Sequence, residues 1–148
     1  MSEGSGPPPA IVVSACLLGV RCNHQRQASR SEAVEALRDG GARLVPICPE
    51  VAGGLPTPRP PAEVQADGSV RTADGSDVTD LYRRGAAAAV ALARAVGATE
   101  AVLKARSPSC GCHEVYDGTF TRRRVPGEGV AARALREAGL AVRSEEDL

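Results

Sequence analysis

The stretch ICPEVAGGLPTPRPPAE, from Ile47 to Glu63, restricts the chain more than any other. It opens with Cys48 two residues before Glu50 and then sets prolines and glycines close together. Each proline fixes its own φ and holds the preceding residue out of the helical region. Pro56, Pro58, Pro60 and Pro61 therefore specify a stiff loop, and Gly53 and Gly54 allow a sharp bend. A stiff loop that carries Arg59 and Glu63 beside a thiol and a carboxylate points to a preorganised site.

The surrounding pattern sets that loop in an α/β frame. Ala10 to Ala15 is a short apolar run rich in β-branched residues and reads as a buried first strand with Cys16 at its carboxyl end. Ser29 to Glu32 fits a capping box, and Ala33, Val34, Ala36 and Leu37 share a helical face before Gly40 and Gly41. Arg43 to Ile47 is a second strand that delivers Cys48. Val64 to Thr72 forms a hairpin about Asp67-Gly68. Asp77 or Thr79 caps the longest helix, whose buried stripe runs Leu81, Gly85, Ala88, Leu92 and Ala95 until Gly97 ends it. Glu100 to Lys104 is a third strand leading into Ser107-Pro-Ser-Cys-Gly-Cys112. A second Asp-Gly turn at Asp117-Gly118 joins Val115-Tyr116 to Thr119-Phe120, Gly127 to Ala138 is a last helix, and Leu140 to Arg143 a last strand. Strand and helix alternate, which favours a parallel sheet covered on both faces. In such sheets ligands bind beyond the carboxyl ends of the strands, where Cys16, Cys48 and Cys110 all fall.

Charge and composition narrow the ligand. Lys and Arg total 18 and so do Asp and Glu, so no net field draws the chain to nucleic acid or an anionic membrane. With no Trp, one Phe and two Tyr it lacks the stacking platforms of a single-strand binder, which leaves a small molecule as the expected partner. Residues 1–9 have the composition of a disordered leader, and residues 10–148 make one domain. Val13-Ser14-Ala15-Cys16 looks like a lipoprotein cleavage site, yet no basic residue precedes Arg21 and Pro7 to Pro9 interrupt the approach. The segment is read as a strand and the protein as cytoplasmic, with no membrane span.

The odd count of five cysteines argues against a closed disulfide framework and for reduced thiols. Three thiolates from three strand ends suit a soft metal or an iron-sulfur cluster. The plain alternative is that they are small buried residues, since free Cys is among the most buried types. No CxxC pair supports a zinc ribbon. Arg122 to Arg124 offer a phosphate clamp beside the helix that starts at Gly127 to Gly129, or a solvated basic loop. Lys104 and Arg106 meet a substrate carbonyl or pair with acidic neighbours. Tyr116 and Phe120 stack a pyrimidine or pack in the core, and His24 and His113 read as surface residues.

VSACLLG at Val13 to Gly19, the proline-rich stretch, SPSCG at Ser107 to Gly111, YDGTF at Tyr116 to Phe120 and the closing GEGVAARALREAGLAV together resemble the thiouracil desulfidase family, first catalogued as a domain of unknown function. The resemblance implies a [4Fe-4S] cluster held by Cys16, Cys48 and Cys110, with one iron open to a thiocarbonyl sulfur. It implies that Glu50 is the acid/base carboxylate and that Ser107 or Ser109 is its polar partner. Where such proteins often read RYDG after the first motif, this chain has Asn23-His24-Gln25-Arg26, and Cys112 is an additional thiol; neither it nor Cys22 has an assigned role.

The expected architecture is a single-domain, three-layer Rossmann-like sandwich with a short, mostly parallel sheet of about four strands. The expected function is non-redox hydrolysis of C=S to C=O, releasing sulfide from a thiolated pyrimidine base or nucleotide, with Arg59, Lys104 and Glu63 contacting the substrate. Intact nucleic acid is disfavoured, and no oligomeric state follows. Two rivals remain: a non-enzymatic zinc or iron-sulfur module, and a redox iron-sulfur protein with Cys22 or Cys112 as fourth ligand.

Overall fold

The computed structural model describes residues 8–148. Residues 1–7 of the expected leader lie outside them; Pro8 and Pro9 are exposed, and the Pro9 carbonyl accepts the Arg43 amide at 2.9 Å. Strands β1 (Ala10–Ser14), β2 (Arg43–Ile47), β5 (Glu100–Leu103) and β8 (Ala141–Ser144) form one sheet in the order β2-β1-β5-β8, parallel throughout. Two antiparallel hairpins stand apart from it: β3 (Ala62–Val64) with β4 (Val70–Thr72), and β6 (Glu114–Tyr116) with β7 (Arg124–Pro126). The helices are α1 (Glu32–Asp39), the short α2 (Pro49–Ala52), α3 (Thr79–Val96) and α4 (Val130–Glu137). Single 3-10 turns follow β1 at Ala15–Leu18 and β8 at Glu145–Asp147.

The side-chain period of two splits the central strands between two cores. Val12, Ala101 and Leu103 pack with Ala89 and Ala93 of α3 and with Leu135 of α4. Ile11, Val13 and Val102 pack on the opposite face with Leu17 and with Val34 of α1. Because β1 and β5 are covered on both faces, Ile11 to Val13 and Ala101 to Leu103 read as unbroken apolar runs. Pro46, which has no amide hydrogen to give, sits in the edge strand β2. Truncating Leu103 or Leu135, both fully buried, would cost about 2–5 kcal/mol.

Several local expectations shift. Ser31 rather than Ser29 caps α1, its hydroxyl accepting the Val34 amide at 3.3 Å. The buried stripe of α3 is Tyr82, Gly85, Ala86, Ala89 and Ala93, so Leu81, Ala88, Leu92 and Ala95 are not its centre. The cause is close approach: a Cβ on Gly85 would lie 1.8 Å from the Pro49 carbonyl oxygen, and one on Gly53 2.0 Å from that of Leu81. Backbone-to-backbone packing of α2 on α3 requires glycine at Gly53 and Gly85, and it sets a rotation of α3 that buries Tyr82 and leaves Leu81 only partly buried. Asp77 accepts the Thr79 amide at 2.9 Å, although Val78 holds the cap position. The return strand of the second hairpin is Arg124–Pro126 rather than Thr119-Phe120, and residues 117–123 form a wide loop. In that loop Phe120 and Arg122 take left-handed φ angles of 60° and 64°.

Candidate functional site

Beyond the carboxyl ends of β1, β2 and β5 lies a cavity of about 730 Å³. Each of these strand ends delivers a cysteine to its wall: Cys16 in the turn after β1, Cys48 at the start of α2, and Cys110 in the loop after β5. Cys16 and Cys110 are buried and Cys48 is partly exposed. Ser14 ties two of these ends together, its hydroxyl accepting the Lys104 amide at 2.9 Å.

Glu50 is the buried carboxylate of the site, in the first turn of α2. Arg59 Nε donates to its Oε1 at 2.8 Å and Ser109 Oγ donates to its Oε2 at 3.1 Å. The Ser109 hydroxyl also lies 3.1 Å from that of Ser107, and Ser107 Oγ accepts the Ser109 and Cys110 amides at 3.2 and 3.1 Å. Tyr82, from the buried stripe of α3, brings its hydroxyl against Glu50; burial and this carboxylate hold the phenol well above its usual range. Glu50 is therefore fixed on three sides by groups from three distant segments.

The loop that carries Ser109 and Cys110 is held by the amino end of α4. The Val130 amide donates to Pro108 O at 3.0 Å, and the Ala131 and Ala132 amides donate to Ser109 O at 2.8 and 2.9 Å. These are the free amides of a helix start, and Gly129 has no side chain to cap them. A Cβ on Gly129 would lie 2.5 Å from the Ser109 carbonyl carbon. The helix start therefore binds a loop, and a phosphate beside Gly127 to Gly129, the alternative to a solvated basic loop, would find these donors taken.

Arg59, Lys104 and Glu63 line the cavity, but each already has protein partners. Arg59 gives its remaining bonds to Pro56 O, Thr57 Oγ1 and Cys22 O at 3.2, 3.1 and 2.8 Å, so it braces Glu50 and the proline loop from behind. Lys104 Nζ lies 3.1 Å from Glu145 Oε2. Glu63 Oε1 accepts the Gly118 and Phe120 amides at 3.0 and 3.1 Å, which holds residues 117–123 against the cavity. That loop adds Phe120 and Arg122 to the lining, with Tyr116 beside them. His24 lies on the same wall, half-buried rather than on the surface. The spacing of Leu81, Gly85, Ala88, Leu92 and Ala95 does not mark Tyr82; its signal in the sequence is that it is the polar aromatic of an alanine-rich helix.

The thiols differ in their protonation. Burial raises Cys16 to about 11 and Cys110 to about 12. Cys48 is lowered, because the Cys22 thiol hydrogen-bonds to it and favours its anion, and Cys22 is raised for the same reason. The Cys48 sulfur also sits 3.6 Å from the Cys22 carbonyl oxygen, a contact open only to its thiol form. Among the described residues the one trio of Cys, His or acidic ligand atoms within 4.8 Å of one another is Cys112, His113 and Asp147, so Cys16, Cys48 and Cys110 are spread wider. Thiolates on one tetrahedral zinc stand about 3.8 Å apart, given Zn–S of about 2.3 Å. At least one pair of the three sulfurs therefore stands farther apart than ligands of one zinc do, and a group in which each thiolate binds a different metal atom asks for less convergence. Cys22 shares the cavity, whereas Cys112 lines a separate, smaller one.

The profile of the 2-thiouracil desulfurase family matches residues 11–147. A curated protein of Bacillus subtilis (strain 168), the uncharacterized protein YbbK, is 40% identical over 147 residues, spanning 93% of this chain and 97% of that protein. A solved structure described as a [4Fe-4S]-dependent thiouracil desulfidase, TudS, superposes with a TM-score of 0.86 at 45% identity, covering 95% of this chain and 93% of that one.

Proposed function

The chain belongs to the 2-thiouracil desulfurase family, and we propose that it hydrolyses the C=S bond of a thiolated pyrimidine with Glu50 as proton carrier and Cys16, Cys48 and Cys110 as ligands of a [4Fe-4S] cluster. It is an enzyme acting on C–S bonds, as its family is described. The observation that carries the reading is the convergence of three cysteines from three strand ends on the cavity into which the buried Glu50 is fixed.

The net reaction consumes water: C=S plus H2O gives C=O plus H2S, with no change of oxidation state. When bound, the cluster supplies a Lewis-acidic iron that polarises the thiocarbonyl. Glu50 takes a proton from water as that water attacks the thiocarbonyl carbon, and returns it to the departing sulfur. Arg59 holds one carboxylate oxygen and Ser109 the other, so the proton moves along a fixed direction. Ser107 orients the Ser109 hydroxyl and pins the Cys110 amide. Phe120 and Tyr116 offer faces to a pyrimidine ring. A volume of about 730 Å³ exceeds what a single base fills, which leaves room for a sugar or phosphate near Arg122. Lys104 and Glu63 shape the substrate's side of the cavity through their fixed partners.

Anaerobic reconstitution with iron and sulfide, followed by incubation with 2-thiouracil, tests the reading. Uracil and sulfide in equal amounts without an electron donor support it. Turnover that requires a reductant, or undiminished turnover in a Glu50→Gln enzyme, refutes it.

A further inference from the structure

Outside the large cavity, three metal-ligating side chains from opposite ends of the last third of the chain meet. The Cys112 sulfur, a ring nitrogen of His113 and a carboxylate oxygen of Asp147 all lie within 4.8 Å of one another. His113 Nε2 is 2.6 Å from Asp147 Oδ2, and that same oxygen accepts the Ser144 amide at 2.8 Å, which anchors the carboxylate in the turn after β8. The His113 carbonyl accepts the Gly127 amide at 3.2 Å, so the imidazole is carried on a backbone tied at its base. Beside them opens a cavity of about 60 Å³ lined by Cys112, His113, Ser144, Arg106 and Glu146. That is space for a coordinated water.

We propose that Cys112, His113 and Asp147 form a second metal site, for a divalent ion of the zinc class, distinct from the three-cysteine centre. The donor set fits in kind: one thiolate, one imidazole and one carboxylate are the ligands zinc takes, and three protein ligands plus water complete a tetrahedron. It fits in charge, because thiolate and carboxylate neutralise the ion while the ring nitrogen adds no charge. Glu145 and Glu128 add their fields to that of Asp147 at Cys112, and the Arg106 guanidinium that lines the same cavity is paired with Glu146. The ion ties the loop two residues beyond Cys110 to the carboxyl-terminal turn, bracing Cys110 without touching the substrate.

The inference stands apart from the proposed reaction, and its test reads metal rather than turnover. Zn2+ is supplied to the cluster-loaded protein, excess is removed by dialysis, and bound zinc is counted and examined by X-ray absorption at the zinc edge. One zinc per chain with one sulfur and otherwise nitrogen or oxygen neighbours is expected. That zinc should be lost in His113→Ala and Asp147→Asn, both exposed positions that fold without it, and in Cys112→Ser, with iron content unchanged. Zinc with two or more sulfur neighbours, zinc retained by all three variants, or no zinc at all would overturn the proposal.

Discussion

Ser109 Oγ donates to Glu50 Oε2 across 3.1 Å, joining the loop after β5 to the first turn of α2 over 59 positions of sequence. Arg59 meets the other oxygen at 2.8 Å, with side-chain exposures of 3% and 11% for the ion pair. Beside the Tyr82 hydroxyl, the carboxylate is thus oriented by the neutral Ser109 and the charged Arg59, and these two are separable by mutation.

Glu50→Gln should keep the size and most hydrogen bonds of the side chain while removing its proton-carrying capacity. A fall in kcat of about 10²–10⁴-fold is expected, with the visible spectrum and iron content of the wild-type protein. Steady-state release of sulfide, set beside an iron assay, checks it.

Arg59→Met should act on stability as well as rate, because it strands a buried carboxylate. Breaking one side of a buried pair costs about 3–5 kcal/mol, to be read from the denaturant midpoint at neutral pH. In the double variant Arg59→Met, Glu50→Gln much of that loss should return. A double variant no more stable than Arg59→Met would show that the pair is not coupled.

Gly85→Ala should force α3 away from α2, since the new methyl would lie 1.8 Å from the Pro49 carbonyl oxygen, one residue before Glu50. A loss of about 1–3 kcal/mol or more is expected from overpacking, together with impaired turnover. Gly40→Ala is the control: its φ is −78° and its nearest neighbour would be at 3.5 Å, so its effect should stay within about 0.5 kcal/mol.

In cluster-free protein, Cys48 should be the thiol that alkylates in mildly acidic solution. Its folded-state pKa is depressed by the Cys22 hydrogen bond, so the reactive anion persists as pH falls below the ordinary thiol value of about 8.5. Cys16 and Cys110, raised by burial, stay protonated there. Stability linkage has the same sign: the Cys48 contribution is full above the unfolded thiol pKa and disappears as pH drops through the folded one. Cys22→Ala removes the donor and should move the alkylation midpoint of Cys48 upward, which mass spectrometry of iodoacetamide adducts across pH will show.

The parallel sheet and the convergence of Cys16, Cys48 and Cys110 were legible because β-branched runs mark buried strands and strand ends in such sheets share an edge. For Glu50 the residues alone allowed either a site carboxylate, as the resemblance implies, or one satisfied by Arg59, and the structure places it on the cavity wall with that Arg59 pairing. Tyr82 was not legible, since its role depends on the rotation of α3, and that rotation is set by contacts of Gly85 and Gly53 with backbone far away in sequence. The commitments of Lys104 to Glu145 and of Glu63 to the amides of Gly118 and Phe120 were hidden for a related reason. Residue type announces a capacity to bind, but only tertiary placement decides what has already claimed it. The long loop at 117–123 defeated the turn signal at Asp117-Gly118 because Glu63, from another hairpin, fixes its course.

The seating of α4 on the carbonyls of Pro108 and Ser109 sets an unusual rule for what evolution or design can write there. The opening position of a helix ordinarily welcomes proline, whose missing amide hydrogen has nothing to bond. At Val130, Ala131 and Ala132 that hydrogen is the latch on the cysteine-bearing loop. Proline at these positions would leave the helix able to form and would loosen the segment that delivers Cys110.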